Sequence, residues 1–258
     1  MDNLFDLSGK VALVTGSTKG IGKAIVERMA QHGAKVVVSS RKADACEAVA
    51  ASINETQGAE VAAAIPCNIS HRDQLEHLVA ATREKWGKID SLVCNAAVNP
   101  YFGPSADMPQ DAFDKIIDVN IKSNIWLSHM VLPEMVERKD GTVIIVSSVG
   151  GYKGSSMLGA YGISKAADFQ LARNLSTEYG PHNIRANCIA PGLVKTDFAR
   201  ALWENPDILE SVTSTAPLRR IGMPDEIAGA AVFLASAAGA FMSGQSMVID
   251  GGQLTAGG

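Results

Sequence analysis

Clustered positive charge is missing from this chain. Against 23 Lys and Arg stand 27 Asp and Glu, a formal net charge of −4. Nucleic acid and anionic membrane surfaces need a basic face to bind them, so neither is an expected partner. Cysteine is sparse and scattered: Cys46, Cys67, Cys94 and Cys188 form no C-x-x-C pair and have no His at ligand spacing. A zinc site and a disulfide framework are excluded on that ground, and no metal is implied. Cys67, Cys94 and Cys188 fall in or beside apolar runs and read as small buried hydrophobes. His32, His71, His77, His129 and His182 share no spacing and read as exposed or capping side chains. The longest apolar runs fall well short of a membrane span. The opening MDNLFDLSGK has no basic, apolar leader, and the chain closes on Gly257 and Gly258 rather than on S-K-L, so a cytoplasmic protein is expected. Neither an internal repeat nor a Pro/Ser linker divides it, and residues 1–258 read as a single domain.

What is present is a regular alternation. A chain of 258 residues, 47% hydrophobic and 19% charged, is long enough to bury a sizeable core. Short β-branched runs occur at 11–15, 35–40, 61–67, 91–95, 142–148, 184–190 and 246–250, separated by helix-length segments such as GKAIVERMAQHG and HRDQLEHLVAATREKWG. Ser70 is the expected N-cap of the latter. Strands apolar along their whole length belong to a parallel sheet covered on both faces. The fold class is therefore α/β, a doubly wound seven-stranded parallel sheet with helices on both faces, the Rossmann arrangement. Residues 191–217 carry no clear assignment and read as a substrate-loop insert. Its Phe198, Leu202 and Trp203 either cap an apolar pocket or pack a helical insert onto its own domain.

The first strand runs into TGSTKGIG, Thr15 to Gly22, and then into a helix. Glycine permits positive φ here, and without a Cβ a pyrophosphate can approach the N–H groups at the helix N-terminus. Gly16, Gly20 and Gly22 do not follow the common G-x-G-x-x-G spacing. The T-G-x-x-x-G-x-G pattern, with NAA at 95–97, Asn120, Ser148, Tyr161 with Lys165, PG at 191–192 and DGG at 250–252, resembles the short-chain dehydrogenase/reductase family over essentially the whole chain. The resemblance implies a nicotinamide dinucleotide held by Gly16, Ser17, Lys19, Gly20, Ile21 and Gly22. It also implies Asn68 and Ile69 at the adenine, and Asn95 and Ala96 beside the turn. Ala97 stands where the family commonly has glycine, and Asn68 where it more often has Asp.

In a dinucleotide fold an acid at the end of the second strand binds the ribose 2′-hydroxyl. Here the chain reads VVVSSRK, with Ser40, Arg41 and Lys42 at that place and Lys19 in the turn. A guanidinium with hydroxyl and ammonium groups suits a phosphate dianion, so NADP(H) is expected rather than NAD(H). The competing reading makes Arg41 and Lys42 a solvated helix start, where the dipole slightly disfavours cations.

Tyr161 and Lys165 lie four apart, hence on one helix face. A nearby cation stabilises phenolate and lowers a tyrosine pKa from about 10 toward the range useful for proton transfer. Such pairs are commonplace on helix surfaces, and it is their company that gives this one meaning. Ser148, expected to end the fifth strand at the carboxyl edge of the sheet, offers a hydroxyl to a substrate oxygen. The resemblance makes Tyr161 the acid/base, has Lys165 hold the nicotinamide ribose, and has Asn120 position a water linking Lys165 to solvent. It also brings Pro191 and Gly192 to the nicotinamide, with Val194 and Thr196 contacting its carboxamide. Gly150, Gly151 and Gly154 make room beside the carbonyl site, and Ala160, Gly162, Ala166 and Ala167 allow close helix packing. By resemblance that helix and DGG meet neighbouring subunits of a homotetramer.

The expected activity is an NADPH-dependent carbonyl reductase, equivalently a secondary-alcohol dehydrogenase, acting on a small-molecule carbonyl or alcohol substrate. A 3-oxoacyl thioester reductase shares these motifs and should show a basic patch at its mouth, which Arg219 and Arg220 do not decide. The alternative from another class is a non-catalytic NADPH-sensing or scaffold protein. Enoyl reductases of the family space their Tyr and Lys more widely. Asn99, Pro100, Tyr101, Tyr152, Met157, Leu158, Phe198 and Trp203 are candidates for an apolar pocket that favours a medium-sized or hydrophobic ketone.

Overall fold

Apolar runs without alternation need cover on both sides, and a computed structural model, which describes residues 3–256, supplies it. Met1, Asp2, Gly257 and Gly258 lie outside the described residues, and with them the reading of the closing Gly257–Gly258 pair. Seven parallel strands form one sheet: β1 (Val11–Thr15), β2 (Lys35–Ser39), β3 (Ala62–Ala64), β4 (Ser91–Cys94), β5 (Gly141–Val146), β6 (Ile184–Pro191) and β7 (Ser246–Ile249). Their order is β3-β2-β1-β4-β5-β6-β7. After β3 the chain crosses to the far side of β1, so the direction of winding reverses between β1 and β4 and a crevice opens at the carboxyl ends of those strands.

Side chains alternate across the pleat, and each central strand feeds two cores. Ala12 and Val14 of β1 face Ile25 and Met29 of α1 (Gly20–Gln31) and Ile227 and Leu234 of α9 (Pro224–Ala235). Leu13, between them, faces the other layer, with Leu75 and Leu78 of α3 (Arg72–Trp86), Leu127 and Val131 of α5 (Ser123–Arg138), and Phe169 of α6 (Gly159–Tyr179). Each such buried Val, Leu, Ile, Met or Phe side chain stabilises the fold by about 1.5–3 kcal/mol. The helix α2 (Ala43–Gln57) ends on Gly58 at φ 65°, a left-handed cap that glycine adopts without strain. Among the described residues no helix is long and apolar enough to cross a membrane.

Several local expectations need correcting. The third strand is only Ala62–Ala64, although the Ile65 and Cys67 amides still donate to the Val38 and Ser40 carbonyls at 3.0 and 2.9 Å on either side of Pro66. The fifth ends at Val146, so Ser148 is not a strand residue: its Oγ accepts from the Gly150 amide at 3.0 Å and starts a tight turn. Ser70 is not the cap of α3, which begins at Arg72 with His71 in the cap position. The Asn68 side chain turns the chain first, accepting from the Ser70 amide at 3.2 Å, and the Ser70 hydroxyl accepts from Lys115 at 2.9 Å instead. Within 191–217 lie two helices, α7 (Arg200–Trp203) and α8 (Pro206–Thr215), the second capped by Asn205 accepting from the Asp207 and Ile208 amides. The remaining helix, α4 (Gln110–Ile116), runs through a π-helical turn, Ile117–Lys122, into α5.

Candidate active site

Three glycines let separate segments converge at the end of β1. Gly16 has φ 66°, and a Cβ there would come within 2.9 Å of the Ala96 Cα. A Cβ on Gly20, φ 51°, would meet Thr196 Cγ2 at 3.0 Å, and one on Gly22 would collide with the Gly16 carbonyl oxygen and Asn95 Nδ2. Asn95 Nδ2 donates to the Thr15 and Gly16 carbonyls at 2.9 and 3.1 Å, while Thr15 Oγ1 accepts from the Asn95 and Ala96 amides. The turn is thus tied to the loop after β4. Helix α1 starts at Gly20 with no side-chain cap and no acid in its first turn, so its N-terminal amides and the positive end of its dipole are open to an anion.

Around this turn lies a cleft of about 360 Å³. Ser40, Arg41, Asn68 and Ile69 line one end; Gly16, Lys19, Gly20, Ile21 and Gly22 line the middle. Asn95, Ala96, Tyr161, Lys165, Thr196 and Phe198 line the other end. An anion cradle that a Cβ would fill, flanked by amide, hydroxyl and guanidinium donors, fits a nicotinamide dinucleotide.

Other expected cofactor residues stand behind the cleft rather than on it. Ser17 is fully buried: its Oγ donates to the Val14 carbonyl and accepts from the Ser39 amide, both at 2.8 Å, and so bolts the turn to β2. Lys42 is exposed at the cap of α2. Pro191 ends β6, the Gly192 amide bonds to the Ile249 carbonyl at 2.9 Å, and buried Val194 is bridged to Gly222; together they set the path of the loop that carries Thr196.

At the end of the cleft bordered by Tyr161, α6 puts Lys165 Nζ 5.8 Å from the centroid of the Tyr161 ring. Ser148, in the turn after β5, is not among the residues lining the cleft, but it and Tyr161 lie on either side of Gly150: a Cβ there would sit 3.4 Å from Ser148 Oγ and 3.7 Å from Tyr161 Cε1. Phe198 stands over Tyr161 with ring centroids 6.2 Å apart. Of the residues expected to line an apolar pocket, Phe198 alone borders this cleft. Tyr152 stacks on Phe169 at 4.4 Å, Tyr101 donates to the Pro104 carbonyl, and Trp203 Nε1 donates to the Thr196 carbonyl at 2.8 Å.

Asn120 is buried in the π-helical turn, a feature frequent at functional sites. Its Oδ1 accepts from the Val98 amide at 2.9 Å, and its Nδ2 donates to the Val98 carbonyl and to Ser164 Oγ at 3.0 and 3.1 Å. The side chain therefore fastens α5 to the loop after β4 and to α6. Its carbonyl accepts from Asn124 Nδ2 at 2.8 Å.

Sequence reasoning passes over Asp168. Lys165 Nζ donates to its Oδ2 at 3.1 Å and to the Val146 carbonyl at 3.0 Å, with both charged side chains buried. Burial alone would pull the Lys165 pKa down; the Asp168 carboxylate, with Tyr161 next, outweighs it and holds the ammonium above the usual lysine range. Burial pushes the Asp168 carboxyl up, opposed by Lys165 and Asn124. Those two directions conflict for one pair, and the donors decide it: both carboxylate oxygens accept hydrogen bonds, from a cation and from an amide, which favours the ionised pair. The signal in the sequence is an acid three residues after Lys165 on the same face of an otherwise apolar helix segment. Burial likewise raises the Cys67 thiol to about 12, too high for a reactive thiolate.

Comparison with known proteins agrees with this geometry. A family model described as enoyl-(acyl carrier protein) reductase matches residues 16–253. The bovine (Bos taurus) protein named dehydrogenase/reductase SDR family member 4 is 43% identical over 249 residues, covering 96% of this chain and 88% of that protein. Among solved structures, a 7α-hydroxysteroid dehydrogenase complexed with NADH and 7-oxo glycochenodeoxycholic acid superposes with a TM-score of 0.92 at 37% identity, covering 98% of each chain. A gluconate 5-dehydrogenase from Burkholderia cenocepacia in complex with NADP and tartrate superposes at 0.94 with 29% identity and the same coverage. The chain belongs to the short-chain dehydrogenase/reductase family. It is an oxidoreductase acting on CH–OH and C=O groups of small molecules, with the NAD(P)(H) cofactor of that family.

Proposed function

We propose that the protein is an NADPH-dependent carbonyl reductase, run in reverse as a secondary-alcohol dehydrogenase, with Tyr161 as its acid/base. The observation that carries the reading is that Tyr161 and Lys165 border the same cleft as the glycine turn and Arg41. A bound reduced nicotinamide supplies the hydride to the carbonyl carbon. The Tyr161 hydroxyl gives the proton to the carbonyl oxygen, and takes it back when an alcohol is oxidised. Lys165, charged by virtue of Asp168, favours the phenolate left behind. Ser148 Oγ already accepts from the Gly150 amide, so its own O–H remains to donate to the substrate oxygen and offset the charge that develops there.

The preference for NADPH over NADH rests on Arg41 and Ser40 at the carboxyl end of β2, where no carboxylate follows the strand. A 3-oxoacyl thioester reductase is less well supported, because Glu226 binds the Arg220 guanidinium with contacts of 2.8 and 2.6 Å and leaves only Arg219 of the two without an acidic partner among the described residues. Exposed Phe198 over the cleft supports a substrate with apolar surface. A homotetramer is the assembly we propose, supported by Ile163, an apolar side chain left in solvent on the helix named by the family resemblance, and by exposed Phe241 before β7. Sedimentation velocity tests it, with a stable monomer as the contrary result.

The reaction is tested by loss of reduced-cofactor absorbance over ketones, diketones, 3-oxoacyl esters and enoyl esters, with NADPH and NADH in parallel. Turnover of a carbonyl substrate with NADPH, falling by about 10²–10⁴ in Tyr161→Phe, is expected. Tight NADPH binding without turnover on any substrate would favour a sensor instead.

A further inference from the structure

Among the described residues, Lys165 and Asp168 form the one ion pair in which both side chains are buried, 3% and 1% exposed. Elsewhere at least one partner is in solvent, as where Lys88 and Arg138 approach the buried Asp90. A buried pair is a poor way to stabilise a core, since well-packed apolar side chains of similar volume often do as well or better. Its location therefore calls for an account: of the lysines that line the cleft, it involves the one whose ammonium lies over the Tyr161 ring.

The hydrogen bonds supply that account. An ammonium has three donors. Lys165 commits one to the Val146 carbonyl on β5 and one to Asp168 Oδ2, and a single donor remains for whatever occupies the cleft. Asp168 is itself held: its Oδ1 accepts from Asn124 Nδ2 at 3.0 Å, Asn124 Nδ2 also donates to the Asn120 carbonyl at 2.8 Å, and Cys188 Sγ donates to the Asp168 carbonyl at 3.2 Å. A continuous buried chain thus runs from the π-helical turn through Asn124 and Asp168 to Lys165. The other titratable groups facing the pair are Tyr161 on its own helix, Cys94 on β4 and Cys188 on β6, and burial holds both thiols protonated. Asp168 is the only carboxylate facing the lysine from any of these elements.

We infer that Asp168 is a positioning residue for the reaction: it keeps the Lys165 ammonium charged inside a dry site and fixes its one remaining donor toward the cleft, with Asn124 setting the carboxylate. The inference rests on the reading of Tyr161 and Lys165 given above. Without Asp168, desolvation acts on Lys165 with the largest opposing charge removed, and its pKa falls. Activity that needs the ammonium is present below that pKa and lost above it, so the alkaline limb of the profile moves to lower pH.

Two readouts on Asp168→Asn test this. The first is kcat against pH: the alkaline limb should move down by at least one unit, so that kcat at a fixed pH above both limbs falls at least tenfold, and the loss should return on acidification. The second is the pH titration of the Lys165 resonance in apoprotein carrying 13C-labelled lysine, assigned by its absence from Lys165→Met; it should titrate at least one unit lower than in the unsubstituted protein. Asn124→Ala should move both in the same direction by less, and it decides the matter if Asp168→Asn does not fold. An unmoved lysine titration, or an unmoved limb with kcat within twofold, overturns the inference. Absence of turnover in the unsubstituted protein, or full turnover by Tyr161→Phe, instead overturns the functional reading, and the lysine titration still answers for Asp168.

Discussion

Lys19 in the glycine turn donates to Asp197 in the loop after β6, Nζ to Oδ2 at 3.1 Å, and joins two segments 178 residues apart across the mouth of the cleft. Asp197 is shared with Arg200 at the start of α7, and the two cations hold its carboxyl below the usual range. The cation expected at a cofactor phosphate is therefore engaged with the substrate-side loop. Exposed pairs of this kind are screened by solvent and contribute little to stability. Asp197→Asn should release Lys19 and tighten NADPH about two- to fivefold, with little change for NADH, as read by fluorescence titration at low salt. Equal effects on the two cofactors would place Lys19 away from the 2′-phosphate.

Arg41 borders the cleft beyond β2, where a ribose phosphate would sit. Charge-assisted hydrogen bonds are worth about 1.5–3 kcal/mol, so Arg41→Asp should lower the NADPH-to-NADH ratio of kcat/KM by about 10–100-fold or invert it. A ratio that stays constant would return Arg41 to the role of a solvated helix start.

Gly22 has no space for a methyl group between the Gly16 carbonyl and Asn95. Gly22→Ala should destabilise the fold by about 1–3 kcal/mol through overpacking and weaken NADPH binding at once, since both partners belong to the cradle. Thermal melting with and without NADPH measures both; a variant that melts and binds normally would mean that the turn is more pliable than its contacts imply.

Glu226 in the first turn of α9 is held at a pKa of about 2, below its ordinary 4.5, by the Arg220 side chain and then by the Met223 amide. A depressed folded-state pKa adds stability above the unfolded value and loses it as pH falls through the folded one. The melting difference between the unsubstituted protein and Glu226→Gln should therefore be full above about pH 4.5 and shrink toward pH 2. A difference independent of pH would point to packing rather than charge.

Much of the architecture is legible before any coordinates. Runs such as VALVT and TVIIV announce buried strands because every residue in them is apolar or β-branched, and the structure buries β1 and β5 along their whole length. The glycine turn is legible because Gly16 and Gly20 need positive φ, and because the other motifs of the family follow it in order. What was missed depends on small local competitions: the Asn68 side chain turns the chain before Ser70 can cap a helix, and the Ser148 hydroxyl starts a turn two residues past the end of its strand. Ser17 reads as a cradle residue by position, yet its hydroxyl is taken up by Val14 and Ser39, and only the pairing of β1 with β2 brings Ser39 there.

The sequence by itself determined the wound sheet, the glycine cradle and the Tyr161–Lys165 face, since periodicity and backbone freedom act over a few residues. Only the tertiary structure decided that Lys165 is charged and held. Its partners come from three elements: Val146 ends β5, Asp168 lies on α6, and Asn124 reaches Asp168 from α5. Spacing along α6 sets Asp168 one turn after Lys165, but nothing along the chain brings Val146 and Asn124 to them, because that meeting exists only once β5, α5 and α6 have packed together.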